Sequence, residues 1–194
     1  MNYNRYQYEE VSPYRDVFID IARPVKWFVT RFLWDLSKSA RLSKERLRKI
    51  KNSHMGEKAV ILCNGPSLLE TDFDQLENVY TFGLNKINLL FEKENFRPDC
   101  IVAVNKHVIE QNEEFYKATD IPLFLDFHAH KKIGLNGEIA YLHSIGKQVF
   151  ARDCSGSIFL GGTVTYVALQ LAFHMGFREV ALIGCDHNFA SKGP

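Results

Sequence analysis

"ILCNGPSLLE", residues 61–70, runs from apolar residues into a cysteine and then into Asn64, Gly65, Pro66 and Ser67, with no charge among them. A hydrophobic strand that leaves through such a loop either makes a plain turn or shapes a cradle for a phosphate. Gly65 lets the backbone approach a ligand closely. Ser67 can cap the short helix that follows, whose first N–H groups would face an anion. Asn64 offers both a donor and an acceptor. GxGxxG is absent, and no Gly-Lys-Ser/Thr follows, so this is neither the dinucleotide fingerprint nor the P-loop.

Outward from this loop the pattern is strand, then helix, repeated. Ala59–Cys63, Val79–Gly83, Cys100–Val104, Leu123–Phe127 and Glu179–Gly184 read as buried strands. Ile139–His143 and Gln148–Ala151 read as shorter ones. Ile87–Glu94 and His107–Ala118 read as helical, and Thr163–Met175 is the clearest helix. Its Val164, Val167, Ala168, Leu171 and Met175 share a face, and Gly176 stops it. Alternation of this kind predicts an α/β fold: a Rossmann-like three-layer sandwich with a mostly parallel sheet. In such sheets ligands bind at the carboxyl ends of the strands, near a switch in strand order. The residues following the strands are accordingly the ones to weigh. They are Asn64-Gly65-Pro66-Ser67, then Gly83-Leu84-Asn85-Lys86, Asn105-Lys106-His107 and Cys185-Asp186-His187-Asn188, with Gly161-Gly162-Thr163 leading into the clearest helix. A second small-residue loop at the same edge favours a nucleotide's phosphate and ribose. Asparagines at two successive strand ends suit the edge of a base or sugar.

The N-terminal quarter is a different object. From Arg23 to Lys58 there are eleven Lys/Arg against three Asp/Glu, whereas from Ala59 onward acids exceed bases by five. Residues 1–57 therefore read as a basic helical extension and 58–194 as the nucleotide-binding domain. Between Tyr14 and Asn52 the pattern is helical but broken at Pro24, and Ser43 reads as a fresh N-cap. Phe18, Ile21, Val25, Phe28, Val29, Phe32 and Leu36 recur at helical spacing. Such a helix packs on the main domain or on a second subunit, or lies on an anionic membrane surface. Peripheral membrane contact through 14–52 is one expectation, and membrane crossing is excluded by the charges. The N-terminus is polar and lacks secretory features. The four cysteines form no CxxC pair. Both point to a reduced, cytoplasmic protein at most peripheral to the inner face of the membrane. No nucleic-acid partner is indicated.

The histidines are weaker signals. His128-Ala129-His130 would suit a metal if it lay on a strand, but no third ligand stands at convincing spacing, so no metal site is assigned. His187 beside Asp186 at a strand end is the better candidate for substrate contact. His174, inside the clearest helix, reads as structural.

"CNGPSL", "FGLNKI", "VAVNKH" and "GGTVTYVALQLAFHMGFREVALIGCDHNF" occur in this order. Together they resemble the bacterial and archaeal family named for 6-hydroxymethylpterin diphosphokinase, which includes proteins associated with flagellin or surface-polysaccharide glycosylation. The same pattern is similar to the bacterial sialyltransferases that use CMP-sialic acid. The resemblance covers residues 58–194. It implies that Asn64, Gly65, Pro66 and Ser67 form a nucleotide-contacting loop, joined by Asn85, Asn105, Gly161, Gly162, Thr163, Gly184 and Asp186. Asp186 and His187 become the candidates for catalysis. His187, Asn188 and Phe189 stand where the sialyltransferases carry tyrosines that hold the leaving phosphate. Their catalytic histidine would lie beyond Pro194, which implies an incomplete domain here. The function implied first is a glycosyltransferase moving a sugar from a CMP-sugar or other nucleotide sugar to a glycan or small-molecule acceptor, with no cofactor required. The alternative is diphosphate transfer from ATP to a pterin alcohol, with Mg²⁺. The non-enzyme alternative is a nucleotide-binding module without turnover.

Overall fold

A computed structural model describes residues 25, 27–135, 138–146 and 148–186. The chain opens with α1, residues 27–36, and α2, Lys38–Ile50. Five strands follow: β1 Lys58–Leu62, β2 Tyr80–Leu84, β3 Cys100–Ala103, β4 Leu123–Asp126 and β5 Ile139–Leu142. Between them lie 3-10 turns and the short helices α3 Lys106–Gln111, α4 Glu113–Ala118 and α5 His130–Ile133. A small pair, β6 Ser144–Ile145 with β7 Ile158–Phe159, leads to α6 Val164–Met175 and then β8 Glu179–Ile183.

The main sheet has six strands in the order β5-β4-β3-β2-β1-β8, and every neighbouring pair is parallel. A parallel sheet is covered on both faces, so its strands read as unbroken apolar runs rather than alternating ones. One face carries Ile61, Phe82, Leu84 and Val102 against Val167, Ala168, Leu171 and Met175 of α6. The other carries Val60, Leu62, Ile101 and Leu125 against Leu68, Phe73, Ile87, Ile109 and Tyr116. The result is the expected Rossmann-like sandwich. Strands β1 to β5 are laid down in one direction, and α6 then carries the chain back to place β8 on the far side of β1. The direction of winding thus reverses between β1 and β8, which is the switch point where such sheets open a crevice.

Three local expectations are corrected. Ser43 is no N-cap: it is buried in the middle of α2. Its hydroxyl donates to Ser39 O at 2.7 Å and accepts from Tyr141 N at 2.8 Å. Arg46 donates to Ile139 O. Tyr141 N and Ile139 O belong to the side of β5 that faces away from β4, so α2 satisfies the free edge of the sheet with side chains. An uncovered parallel edge would leave those groups unpaired or open to another strand. Gln148–Ala151 forms no strand. Buried Gln170 of α6 accepts from Ala151 N at 3.0 Å and also from Phe159 N of β7 at 3.2 Å. Residues 107–118 form two helices, not one. Asn112 breaks them, its amide locked reciprocally to that of Asn88 at 2.8 and 3.2 Å.

Two expectations hold in detail. Gly176 ends α6 with φ +94° and donates to Ala172 O and Phe173 O, a left-handed cap that glycine adopts without strain. His174 is structural: Cys154 N donates to its Nδ1 at 3.2 Å, so its Nε2 carries the proton and donates to Leu47 O at 2.8 Å.

On α1, Trp34 is fully buried and Arg31 reaches Gly156 O and Ser157 Oγ. The opposite side leaves Phe28, Val29, Phe32, Leu33 and Leu36 exposed, Phe28 to 74%. The part of the expected N-terminal helix before residue 25 lies outside the described residues. Among the described residues no helix is long and apolar enough to cross a membrane.

Ser43→Ala removes the acceptor from the buried Tyr141 N–H. The expected loss is about 1–3 kcal/mol, the usual cost of leaving a buried donor unsatisfied. It is read as a lower midpoint in urea denaturation. An unchanged midpoint would mean that the sheet edge does not depend on α2.

Candidate functional site

The described residues of the loops that follow the strands emerge at the carboxyl edge of the sheet. Helix α6 runs antiparallel to the strands, so its N-terminus lies over the same edge. Cys63 Sγ at the end of β1 is 3.8 Å from Thr165 Oγ1 in the first turn of α6. Asn64 and Gly162 are therefore at one end of the molecule, but they do not line one cavity.

The residues after β1 meet those after β8. Gly65 N donates to Gly184 O at 2.8 Å. A Cβ on Gly65 would stand 2.5 Å from that carbonyl oxygen and 2.6 Å from Asp186 Oδ2. Gly65 is required here by the approach of the chain's own backbone. Gly184 answers with φ +66° and a Cβ position 2.7 Å from Cys63 O. Ser67 is not a cap. It sits inside a 3-10 turn, Pro66–Glu70, with Gly65 at the N-cap and Pro66 in the first turn, where its missing N–H costs nothing. The group that meets this turn's N–H is the Asp186 carboxylate, which accepts from Ser67 N and Ser67 Oγ, each at 2.6 Å. The place read as an anion cradle is thus filled by an internal anion. Asn64, Gly65 and Pro66 border a pocket of about 340 Å³ on the other side, with Lys86 and Lys93 in its wall. His187, Asn188 and Phe189 lie outside the described residues.

Cys63 and Cys185 are free, with Sγ atoms 3.1 Å apart. Burial, and then the hydrogen bond with Cys185, push the Cys63 thiol up to about 12, so it stays protonated and is no nucleophile.

Asn85, Asn105, Gly162 and Thr163 do come together. With Val104, Val108, Leu160 and Val164 they line a cleft of about 390 Å³ between the ends of β2 and β3 and the start of α6. Asn85 has φ +49°, uncommon for a residue with a side chain. Its N–H donates to Val102 O at 2.9 Å and its carbonyl accepts from Tyr116 OH at 2.7 Å. Burial raises the Tyr116 phenol to about 12, which keeps that donor protonated. The backbone of Asn85 is thus clamped from two sides. Its side-chain Oδ1 is buried and has no partner. Asn105 is partly structural, because its Oδ1 caps α3 by accepting from His107 N at 2.9 Å. Thr163 caps α6, accepting from Tyr166 N at 3.2 Å. Gly161 and Gly162 have φ +60° and +78°. A Cβ on Gly161 would strike the Tyr166 ring at 2.4 Å, whereas one on Gly162 would meet nothing within 4 Å.

Sequence reasoning set His128 aside, and the structure changes its standing. His128-Ala129-His130 is a 3-10 turn running into α5, not a strand. His130 Nδ1 bonds Phe127 O at 2.8 Å with its ring stacked on Phe127 at 4.2 Å. His128 Nδ1 bonds the buried Asp126 carboxylate at 2.6 Å. The two histidines diverge, and no group of three metal-binding side chains exists among the described residues. Asp126, His128 and His143 instead border a third cavity, of about 580 Å³, which shares Leu160 and Gly162 with the cleft. An Asp two residues before a His at a strand end was the available signal.

Gly65→Ala tests the crossing of the two loops. It is expected to lower stability by about 1–3 kcal/mol, as overpacking does, read by urea denaturation in the absence of any ligand. A variant as stable as the wild type would show that the loops part without cost.

No curated protein and no solved structure matches this chain. The family model described as 6-hydroxymethylpterin diphosphokinase MptE-like matches residues 31–192. That span takes in most of α1 and all of α2, so the resemblance reaches further toward the N-terminus than residue 58. With the match extending over most of its length, the chain belongs to the 6-hydroxymethylpterin diphosphokinase MptE-like family.

Proposed function

We propose that this protein is a nucleotide-dependent transferase whose donor lies in the cleft between Asn85, Asn105 and the start of α6. The observation that carries this is Asn85. A left-handed backbone held by two hydrogen bonds turns a carboxamide into the cleft wall, yet its buried Oδ1 has no partner. Leaving a buried acceptor unpaired costs about 1–3 kcal/mol. A turn of this side chain toward the cleft would bring it to a donor group on a ligand, such as the amino edge of a base, and recover that cost. The glycine-lined start of α6 supplies the positive end of a twelve-residue helix for a phosphate.

Two donor chemistries fit this reading. Glycosyl transfer from a nucleotide sugar in cell-surface glycan synthesis needs only amides, hydroxyls and N–H groups at the leaving phosphate, and the cleft is lined by such groups. Diphosphate transfer from ATP is what the family's name favours, and it ordinarily uses Mg²⁺ held by carboxylates. The residues described here do not fit that ion. None lining the cleft is acidic, Asp186 caps Ser67, Asp72 caps its own turn and bonds Gln75, and Asp126 in the adjoining cavity is buried and bonded to His128. We favour glycosyl transfer for this reason.

Calorimetric titration of CMP, UDP and ATP, with and without Mg²⁺, tests the proposal. CMP or UDP binding that ignores Mg²⁺ supports glycosyl transfer, and Mg²⁺-dependent ATP binding supports diphosphate transfer. Asn85→Gly keeps the left-handed backbone and removes the amide, so it should weaken the bound nucleotide by about one to two orders of magnitude without loss of stability. Absence of nucleotide binding at millimolar concentration would overturn both donor chemistries. Binding without turnover would leave a nucleotide-binding module.

We further propose that α1 rests on the inner face of a membrane. Its exposed Phe28, Phe32, Leu33 and Leu36 adjoin exposed Lys38 and Arg41, an apolar stripe beside cations that suits anionic lipid. Flotation with vesicles containing phosphatidylserine should carry the protein up, and Phe28→Ser with Phe32→Ser should abolish it. Equal flotation of wild type and variant would remove the role of α1.

A further inference from the structure

The cavity beyond the cleft holds three polar groups that the donor does not use. It measures about 580 Å³ and is walled by Trp27, Phe127 and Phe159. At one side Asp126, at the end of β4, is 6% exposed. Its Oδ1 accepts from His128 N at 3.0 Å and bonds His128 Nδ1 at 2.6 Å. Two bonds from one carboxylate fix the ring and hold the proton on Nδ1, which leaves Nε2 as the basic nitrogen. The side chain of His128 stays partly open to the cavity, at 37% exposure. At the other side His143, at the end of β5, is 3% exposed. Its Nδ1 bonds Ser157 Oγ at 2.8 Å, while its Nε2 is buried and unpartnered in the same wall. Burial and the neighbouring Arg31 guanidinium hold the His143 pKa down, which favours the neutral ring in this wall.

We infer that this cavity is the acceptor subsite of the transferase, that it takes a small molecule bearing a hydroxyl on or beside a ring, and that His128 is its general base. The inference rests on the nucleotide reading above. Aromatic walls suit the face of a ring, and the partly open His128 beside them suits its hydroxyl. Leu160 and Gly162 border both spaces, and the Cβ position of Gly162 is empty, so an acceptor here would face a donor in the cleft across the smallest residue available. In the step, His128 Nε2 takes the proton of the acceptor hydroxyl as its oxygen attacks the electrophilic centre of the nucleotide donor. A bond forms from that oxygen to the transferred group. The bond from that group to the nucleotide's phosphate oxygen breaks, and its electron pair leaves with the phosphate. The imidazolium then returns its proton to solvent. Asp126 touches no substrate in this scheme; it is a positioning residue that acts through His128. Two sources present this hydroxyl chemistry, a sugar at the end of a glycan and a heterocyclic alcohol.

The only two tryptophans of the chain are Trp27, in the cavity wall, and Trp34, stacked on His143 with centroids 5.7 Å apart. Intrinsic fluorescence therefore reports on the cavity. The full chain is titrated with lactose and with 6-hydroxymethyl-7,8-dihydropterin, each with and without saturating CMP, UDP or ATP. Turnover is followed with the matching donors CMP-sialic acid, a UDP-hexose and ATP. A saturable fluorescence change is expected with one acceptor class, which identifies the source. His128→Ala should keep both KM values within about twofold and lose kcat by about 10²–10⁴-fold, the contribution of a general base. Added imidazole should restore part of that turnover, which a structural role would not allow. Asp126→Asn should lower kcat with KM unchanged. Nucleotide binding with no fluorescence response to either alcohol at 10 mM overturns the subsite. A kcat in His128→Ala within about tenfold of the wild type overturns the base. Failure of nucleotide binding in calorimetry overturns the parent reading and the transfer step with it, even where an alcohol still fills the cavity.

Discussion

Everything at the functional edge depends on how closely two backbones cross between β1 and β8. Gly65 N–H and Gly184 O are joined at 2.8 Å, and neither residue has space for a Cβ. The reversal of winding makes these two strands neighbours, so their loops leave the sheet side by side. In most doubly wound sheets that divergence leaves a crevice. Here glycines on both sides let the loops touch, and the touch carries Asp186 onto Ser67. A carboxylate accepting from an N–H at the start of a helical turn is the arrangement a bound anion would otherwise make. The two loops are thereby closed on each other, and the open spaces lie beside them, one between the β1 loop and Lys86 and another at β2, β3 and the start of α6.

The width of the sheet is set at the opposite side by α2. Its hydroxyl and guanidinium groups hydrogen-bond the outer edge of β5, while Leu47 joins the α6 face. One helix therefore ties the last edge strand to the layer above it. The same helix is held from that layer by His174, whose proton is directed to Leu47 O. The N-terminal helices are joined to the sheet by these bonds, and the 580 Å³ cavity exists because α1 places Trp27 over the ends of β4 and β5.

The strands were legible because parallel strands buried on both faces must be apolar throughout, and each run stops where the chain reaches the edge. The clearest helix was legible through its apolar face and its glycine stop. What could not be read is which partner a polar side chain takes. Ser43 looked like a cap because a serine before charged residues usually is one; its partner is 98 residues away. Ser67 looked like a cap because it stands between a strand-end loop and a short helical turn, and its partner is 119 residues away. Gln148–Ala151 has strand-like composition, but it forms no strand and its Ala151 N–H is taken by buried Gln170. Asn85 and Asn105 looked alike, following successive strands. One is a helix cap, and the other carries an unpaired buried oxygen on a left-handed backbone. Local sequence holds the residue types but not the tertiary contacts that separate these roles.

The two adjacent glycines before α6 separate architecture from function by the same kind of argument. Both have positive φ, which alone accounts for glycine at either position. Gly161 has a second reason, since the Tyr166 ring fills the space where its side chain would be. Gly162 has no such neighbour, and the empty side of it borders both the cleft and the aromatic cavity. A side chain there would clash with nothing in the protein and would stand between the two spaces. Packing and backbone conformation together require glycine at 161, whereas at 162 backbone conformation alone requires it, and the boundary between the two spaces stays open there.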